Sequence, residues 1–325
     1  LRSPNRFGPV FVEAAKQAGY PHNPDFNGAT QEGAGMYQVT HRNGERFSAA
    51  KAYLTPHLER KNLQVITGSQ VTRIVLEGRR AVGVELQQGG ARRELQARRE
   101  VLVCAGALQS PQLLMLSGIG PGAHLQQLGI PVAHDLPGVG QHLHDHVDVV
   151  QIVDAPHLKD LFGLSFSGAM RAIGAVFEWR SRRSGMLTTN FGEAGAFIRS
   201  SDDEALPDLQ LHFVVGKLID HGRKTVFGHG YSCHVCVLRP RSRGSLTLQN
   251  KDPLAAPAID IGFLNDRDDL ERLVRGFKLM RKILQQPALA GHGGRELDAS
   301  ASAQTDEQIE RKFLVIGDAW RDGAV

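Results

Sequence analysis

The segment HLHDHVD, residues 142–148, places His142, His144, Asp145, His146 and Asp148 within seven positions. On a strand, alternate side chains share a face, so the three imidazoles would point one way and could bind a transition metal. As a loop after the turn LPGVG they would be solvated polar residues. No further ligand cluster joins them, so the loop is the expectation. Cys233-His-Val-Cys236 has the spacing of half a zinc site or of a redox pair. Its surroundings, YSCHVCVLRP, read as a strand, where i and i+3 face opposite ways. With no second cysteine pair, two half-buried strand cysteines are expected. Gly118, Gly120 and Ala123 formally meet the G-x-G-x-x-G/A spacing of a dinucleotide loop. That loop needs a strand leading in and a helix leading out, so that the helix N-terminus faces a pyrophosphate. Here a helix-like run leads in and Pro121 and Gly122 interrupt, so the match is coincidental. No Gly-x-Ser-x-Gly elbow is present, which argues against an α/β-hydrolase nucleophile.

The elements that must position such residues follow from hydrophobic period. A short helix is expected around Val10 to Ala18, among Gly- and Asn-rich loops. From Asn62 the pattern turns to strands, with LQVIT and then VTRIVLEGRRAVGVELQQ, in which EGRR makes the turn. RELQARREVLVCAGA should close this meander, and the apolar run Val101 to Ala107 reads as a strand covered on both faces. A short helix should follow, with Ser110 as N-cap, Pro111 at the first helical position and Gly118 as the stop. Beyond residue 150, DLQLHFVVG, YSCHVCVLRP and GSLTLQN suggest one antiparallel sheet. Leu270, Leu273, Val274, Phe277, Met280, Ile283 and Leu284 then recur at helical spacing, and Pro287 should end that helix.

Composition excludes several classes. With 41% hydrophobic and 22% charged residues in 325, the chain reads as a soluble globular protein with room for a large core. No apolar run approaches a membrane span, the first residues do not form a signal peptide, and three cysteines (Cys104, Cys233, Cys236) make no disulfide framework. A cytoplasmic or peripherally membrane-associated protein is expected. The net charge of +4 comes from dispersed arginines, and aromatics are only 6% of residues, so no nucleic-acid partner is expected.

One stretch carries a family resemblance. GALQSPQLLMLSGIG, Gly106 to Gly120, matches position by position a signature of the glucose-methanol-choline (GMC) family of flavin-dependent oxidoreductases. RFSAAKAYLTP (46–56), LPGVGQHLHDH and RPRSRGSLTLQNKDPLAAPAID (239–260) extend the likeness, which runs from about Phe7 to about Leu314. Within the family the chain is most similar to bacterial members acting on choline or other alcohols with acceptors other than oxygen. The resemblance implies an α/β fold with α+β character, in which residues 1–150 are part of a Rossmann-like FAD-binding domain. Residues 151–325 correspond to an antiparallel-sheet substrate domain with helices.

FAD is the implied cofactor. The strand matching VLVCAGA ends beside it in the family, which nominates Cys104, Ala105 and Gly106; the small side chains at 105 and 106 would let backbone approach closely. Val71 matches a position whose backbone contacts the adenine, though an ordinary strand residue is the plainer reading. Asn190 and Glu193, in NFGEAGAF, fall where the substrate pocket is expected, and Glu193 could equally be a solvated loop carboxylate. The implied partners are an alcohol substrate and an electron acceptor of quinone or dye type. The pyrophosphate-binding unit and the His-Pro segment of the family have no counterpart here. DEQIERKFL runs into VIGDAWRDGAV, and no histidine follows His292, so no catalytic residue is assigned. The chain alone is expected to be inactive, with an unpaired strand edge that favours a homo-oligomer. The alternatives are a non-catalytic remnant acting in binding or assembly, and a metal protein using HLHDH.

Overall fold

The computed structural model describes residues 2–218 and 226–321. Along the chain, helix α1 (Phe7–Gln17) leads to strand β1 (Gly33–Met36), and a meander follows of β2 (Ser69–Glu77), β3 (Arg80–Gln88) and β4 (Ala91–Gln96). Helix α2 (Gly106–Leu116) and strand β5 (Gln141–Leu143) precede β6 (Asp148–Asp154) and helix α3 (Phe166–Arg182). Then come β7 (Gly192–Ile198), β8 (Leu209–Val214), β9 (Gly228–Val237), β10 (Gly244–Thr247) and β11 (Ala258–Asp260). Helix α4 (Arg267–Leu284), strand β12 (Arg295–Glu296) and helix α5 (Asp306–Arg321) complete the set used below. The last four residues of VIGDAWRDGAV lie outside the described residues.

Two compact units emerge. One comprises Leu1–Thr55, His146–Arg241 and Asp266–Val325, the other Pro56–Asp145 and Ser242–Asn265. The chain therefore divides more than once: a boundary falls at His146, near the expected 150, but residues 1–55 join the second half and 242–265 join the first. Long-range strand pairing decides this, and a linear reading of composition does not register it.

In the larger unit an antiparallel sheet runs in the order β1-β7-β8-β9-β6-β12, with Gly163–Leu164 pairing on β9. Helix α1 lays Phe11 on Phe213 of β8, ring centroids 4.9 Å apart. Helix α4 buries all seven of the apolar positions expected from its spacing. A Cβ at its Gly276 would come within 3.0 Å of both Leu209 and Val235, so the absent side chain lets helix and sheet approach. The helix ends at Leu284, and Pro287 starts the next short helix instead of stopping this one.

In the smaller unit β2, β3 and β4 form the expected meander and α2 packs on β2. A core of Met115, Leu125, Ile130, Val139, Leu246 and Leu248 sits beneath. Four local expectations are corrected. GSLTLQN does not join the β8 and β9 sheet; β10 pairs with β5 and β11 in the smaller unit. The third strand of the meander stops at Gln96, and residues 101–104 form no strand, with Leu102 75% exposed. An apolar run becomes a buried strand only when a neighbour pairs with it, and no described strand does. Helix α2 begins at Gly106, so Ser110 and Pro111 lie inside it, because the helix formers Ala107, Leu108 and Gln109 extend it upstream. Pro111 leaves the Ala107 carbonyl without its i+4 donor. Finally, Cys233 and Cys236 are fully buried rather than half-buried, since β9 is an interior strand covered on both faces.

Candidate functional site

The smaller unit holds a groove of about 200 Å³ lined by Ser69, Gln70 and Val71 of β2, by Ala105 and four residues of α2, and by Pro253. Its walls are held by specific bonds. Ser117 Oγ, at the end of α2, accepts the Ile74 N–H of β2 (2.8 Å) and donates to Leu113 O (2.6 Å). Beside Val71 on β2, the Thr72 hydroxyl donates to Glu85 Oε1 at 2.7 Å. Gln112 Nε2 donates to Ala255 O (2.9 Å), tying the Pro253 loop to α2. The lining alternates amide and hydroxyl groups with Val71, Leu113 and Leu116, which suits a flat ligand with apolar faces and a polar edge.

Two of the four nominated cofactor residues, Val71 and Ala105, meet in this groove. Cys104 and Gly106 flank Ala105 without lining it. Cys104 is exposed, and a Cβ at Gly106, whose φ is +82°, would meet nothing within 4 Å. The backbone here is thus open to approach, as a cofactor cradle needs. The sequence did not point to Gln109, Gln112 or Pro253; the helical spacing of Gln112 with Ala105 and Gln109 was the available signal.

The substrate-side candidates lie in the larger unit and differ sharply. Glu193 on β7 is 0% exposed. Its Oε2 accepts the Asn5 N–H and its Oε1 accepts the Thr189 hydroxyl, both at 2.5 Å. It is therefore not the solvated loop carboxylate that the sequence allowed. Thr189 Oγ1 in turn accepts the Phe191 N–H (2.9 Å), where φ is +65°. This chain of bonds shapes the turn that presents exposed Asn190, whose amide donates to Gly192 O (3.0 Å).

The histidines of HLHDHVD do not converge. His142 sits on β5 with φ +61°, which breaks the strand alternation; a His144 ring nitrogen bonds to His142 O and one of His146 to Leu238 O. Among the described residues no group of three or more His, Cys, Asp or Glu could hold a metal. A different cluster lies on the sheet: His234 Nδ1 is 2.5 Å from Asp148 Oδ2, and His212 pairs across β8 and β9 with His234. Burial, then the His234 charge, lowers the His212 pKa, while burial pushes the Cys233 thiol up.

An antiparallel sheet carrying helices, joined to a meander-and-helix unit with a groove at the GALQSPQLLMLSGIG helix, is the structure to set beside known proteins. The chain belongs to the GMC oxidoreductase family: its N-terminal family model matches residues 2–148 and its C-terminal one residues 240–316. It is 39% identical over 311 residues to an alcohol dehydrogenase [acceptor] of Pseudomonas putida, which covers 95% of this chain and 56% of that protein. It is 40% identical over 302 residues to an oxygen-dependent choline dehydrogenase of Chromohalobacter salexigens, covering 93% of this chain and 54% of the relative. The chain thus spans a little over half the length of these relatives. The crystal structure of a pyridoxine 4-oxidase superposes with a TM-score of 0.78 at 27% identity, over 95% of this chain and 56% of that one. A formate oxidase of Aspergillus oryzae gives 0.83 at 21% identity over 95% and 58%, a likeness of fold alone.

Proposed function

We propose that this chain is a portion of an FAD-dependent oxidoreductase that oxidises a primary alcohol, choline or an aliphatic alcohol, to an aldehyde and passes the electrons to a quinone- or dye-type acceptor. The observation that carries the reading is the meeting of Val71 and Ala105, distant in sequence, in one groove with an open backbone at Gly106. In this reading β2 at Val71 and the segment Cys104 to Gly106 hold the adenine side of FAD, and the amides of Gln109 and Gln112 offer polar contacts at its edge. Bound FAD supplies the hydride-accepting flavin. The groove's mixed lining and small residues fit that group.

On the substrate side, Glu193 fixes the 189–192 turn and Asn190 is the group it presents. Both carboxylate oxygens of Glu193 are engaged by donors of this chain. Choline would be held by an anionic or aromatic surround for its cation, an aliphatic alcohol by an apolar pocket. No histidine of this chain is assigned as the proton acceptor, and the chain by itself is inactive in this account. The test is dye reduction by the purified chain with added FAD, offered choline and a series of aliphatic alcohols. No turnover is expected, and turnover with any of them would overturn the assignment of an inactive portion.

A second reading, a non-catalytic chain acting in binding or assembly, is favoured by one observation, the exposed and unpaired stretch at Leu102. A cytoplasmic location, free or attached peripherally to a membrane, is part of the proposal. Separately, no described helix is long and apolar enough to cross a membrane.

A further inference from the structure

Helix α3 faces the wrong way for a core helix. Phe166, Met170, Ile173 and Phe177 follow one another at steps of four, three and four, the spacing that usually buries an apolar stripe. Here they are exposed, Phe166 to 87% and Phe177 to 70%. The opposite side is the anchored one. Ala175 is buried and Trp179 Nε1 donates to Gly44 O (2.9 Å). At the N-terminus Ser165 caps Gly168 N and bonds to buried His229 (2.7 Å). These ties at both ends hold the stripe outward. Leu164 and Phe227, joined by a β-bridge and both exposed, extend the apolar surface beside the helix start.

The charge on this helix is mostly positive. Arg171, Arg180 and Arg182 lie on it and Arg183 caps it, against a single carboxylate, Glu178. Its last turn also lines a groove of about 610 Å³ whose charged residues are Arg2, Arg42, Lys51, Arg182, Arg183 and Glu45. Glu45 is taken up by Lys51 (2.7 Å) and Arg183. Among the described residues Arg2, Arg42 and Arg182 have no carboxylate within ion-pair distance.

We propose that α3 and the arginine groove at its C-terminus form a docking surface for an anionic phospholipid membrane, with the stripe entering the interface and the groove receiving phosphate headgroups. An outward apolar stripe with a basic flank is the composition of an interfacial helix. A second copy of the chain fits less well, because it would set one arginine array against another. The proposal deepens the peripheral-attachment part of the reading above and does not depend on FAD, so vesicle binding and flavin retention can fail separately.

The experiment is co-sedimentation of the purified chain with vesicles of phosphatidylcholine alone or mixed with phosphatidylglycerol. Binding is expected only to the anionic vesicles, and it should weaken with salt. The pairs Ile173→Ser with Phe177→Ser, and Arg42→Gln with Arg182→Gln, should each reduce it by at least about tenfold. Both pairs point outward, so circular dichroism and melting should not change. No pelleting with anionic vesicles, or pelleting indifferent to both pairs, overturns the proposal. So does a dimer in sedimentation equilibrium that the Ile173/Phe177 pair abolishes, which would make a second copy the occupant. Loss of vesicle binding in inorganic phosphate at constant ionic strength, with the Ile173/Phe177 pair without effect, would reduce the groove to a free-anion site and also overturn it.

Discussion

Glu193 is a carboxylate taken wholly out of water, with a backbone N–H and a hydroxyl as its partners. Removing it leaves two half-buried donors, the Asn5 N–H and the Thr189 hydroxyl, without this acceptor, so Glu193→Ala should lower the unfolding free energy by about 2 kcal/mol, and Glu193→Gln, which keeps one acceptor, by about 1 kcal/mol. Urea denaturation measures both. His212 makes a pH prediction. Burial keeps its imidazole neutral, so the folded chain binds that proton less readily than the unfolded one. The associated stability is complete above the unfolded value of 6.5 and is lost as pH falls through the lower folded value. The urea midpoint should therefore drop on acidification below pH 6.5, and His212→Gln should flatten that part of the profile. Among the cysteines, a thiol reagent should label exposed Cys104 in the native chain and reach buried Cys233 and Cys236 only on unfolding. The spacing of Cys233 and Cys236 and their opposite faces were legible in the sequence. Their full burial was not, because it depends on what covers each face of β9.

Helix α4 was the most legible element. Its seven apolar positions repeat with the helical period and all are buried. What the period does not carry is its polar anchor. Buried Arg272 donates to Asp269 (2.6 Å) and to Arg239 O, and forms ion pairs with Asp268 (2.9 Å) and Asp208 (3.8 Å). Arg272→Met would remove the guanidinium that faces buried Asp208 and Asp269. The expected cost is about 3–5 kcal/mol, read as a lower denaturation midpoint with the far-ultraviolet spectrum retained. Helix α2 shows the limit of local signals. Ser110 and Pro111 are good starting residues, but residues 107–109 are better helix formers than the cap is a boundary. For α3 the apolar spacing was present, and only the fold shows that its stripe turns outward. Strand order was the least legible feature, since β10 leaves the preceding β9 and pairs, besides its neighbour β11, with distant β5, a pairing that no short window contains.

At the scale of the whole molecule, the family is carried by a stretch of fifteen residues and three further motifs, and the structure places that stretch at the wall of a groove. Leu102 stands exposed beside it on backbone that pairs with no described strand, a surface prone to edge-to-edge association. Sedimentation should accordingly show self-association that Leu102→Lys reverses, and a wild-type chain that stays monomeric would refute this. The central claim is that Val71, Ala105 and the backbone around them form part of an FAD site. The most direct measurement is the visible absorption spectrum of the purified chain after incubation with FAD and desalting, beside the same measurement on Ala105→Trp, which fills the groove. Retained flavin bands in the wild type, lost in the variant, are the predicted result. A colourless wild-type protein, or flavin retained equally by the variant, would contradict the account.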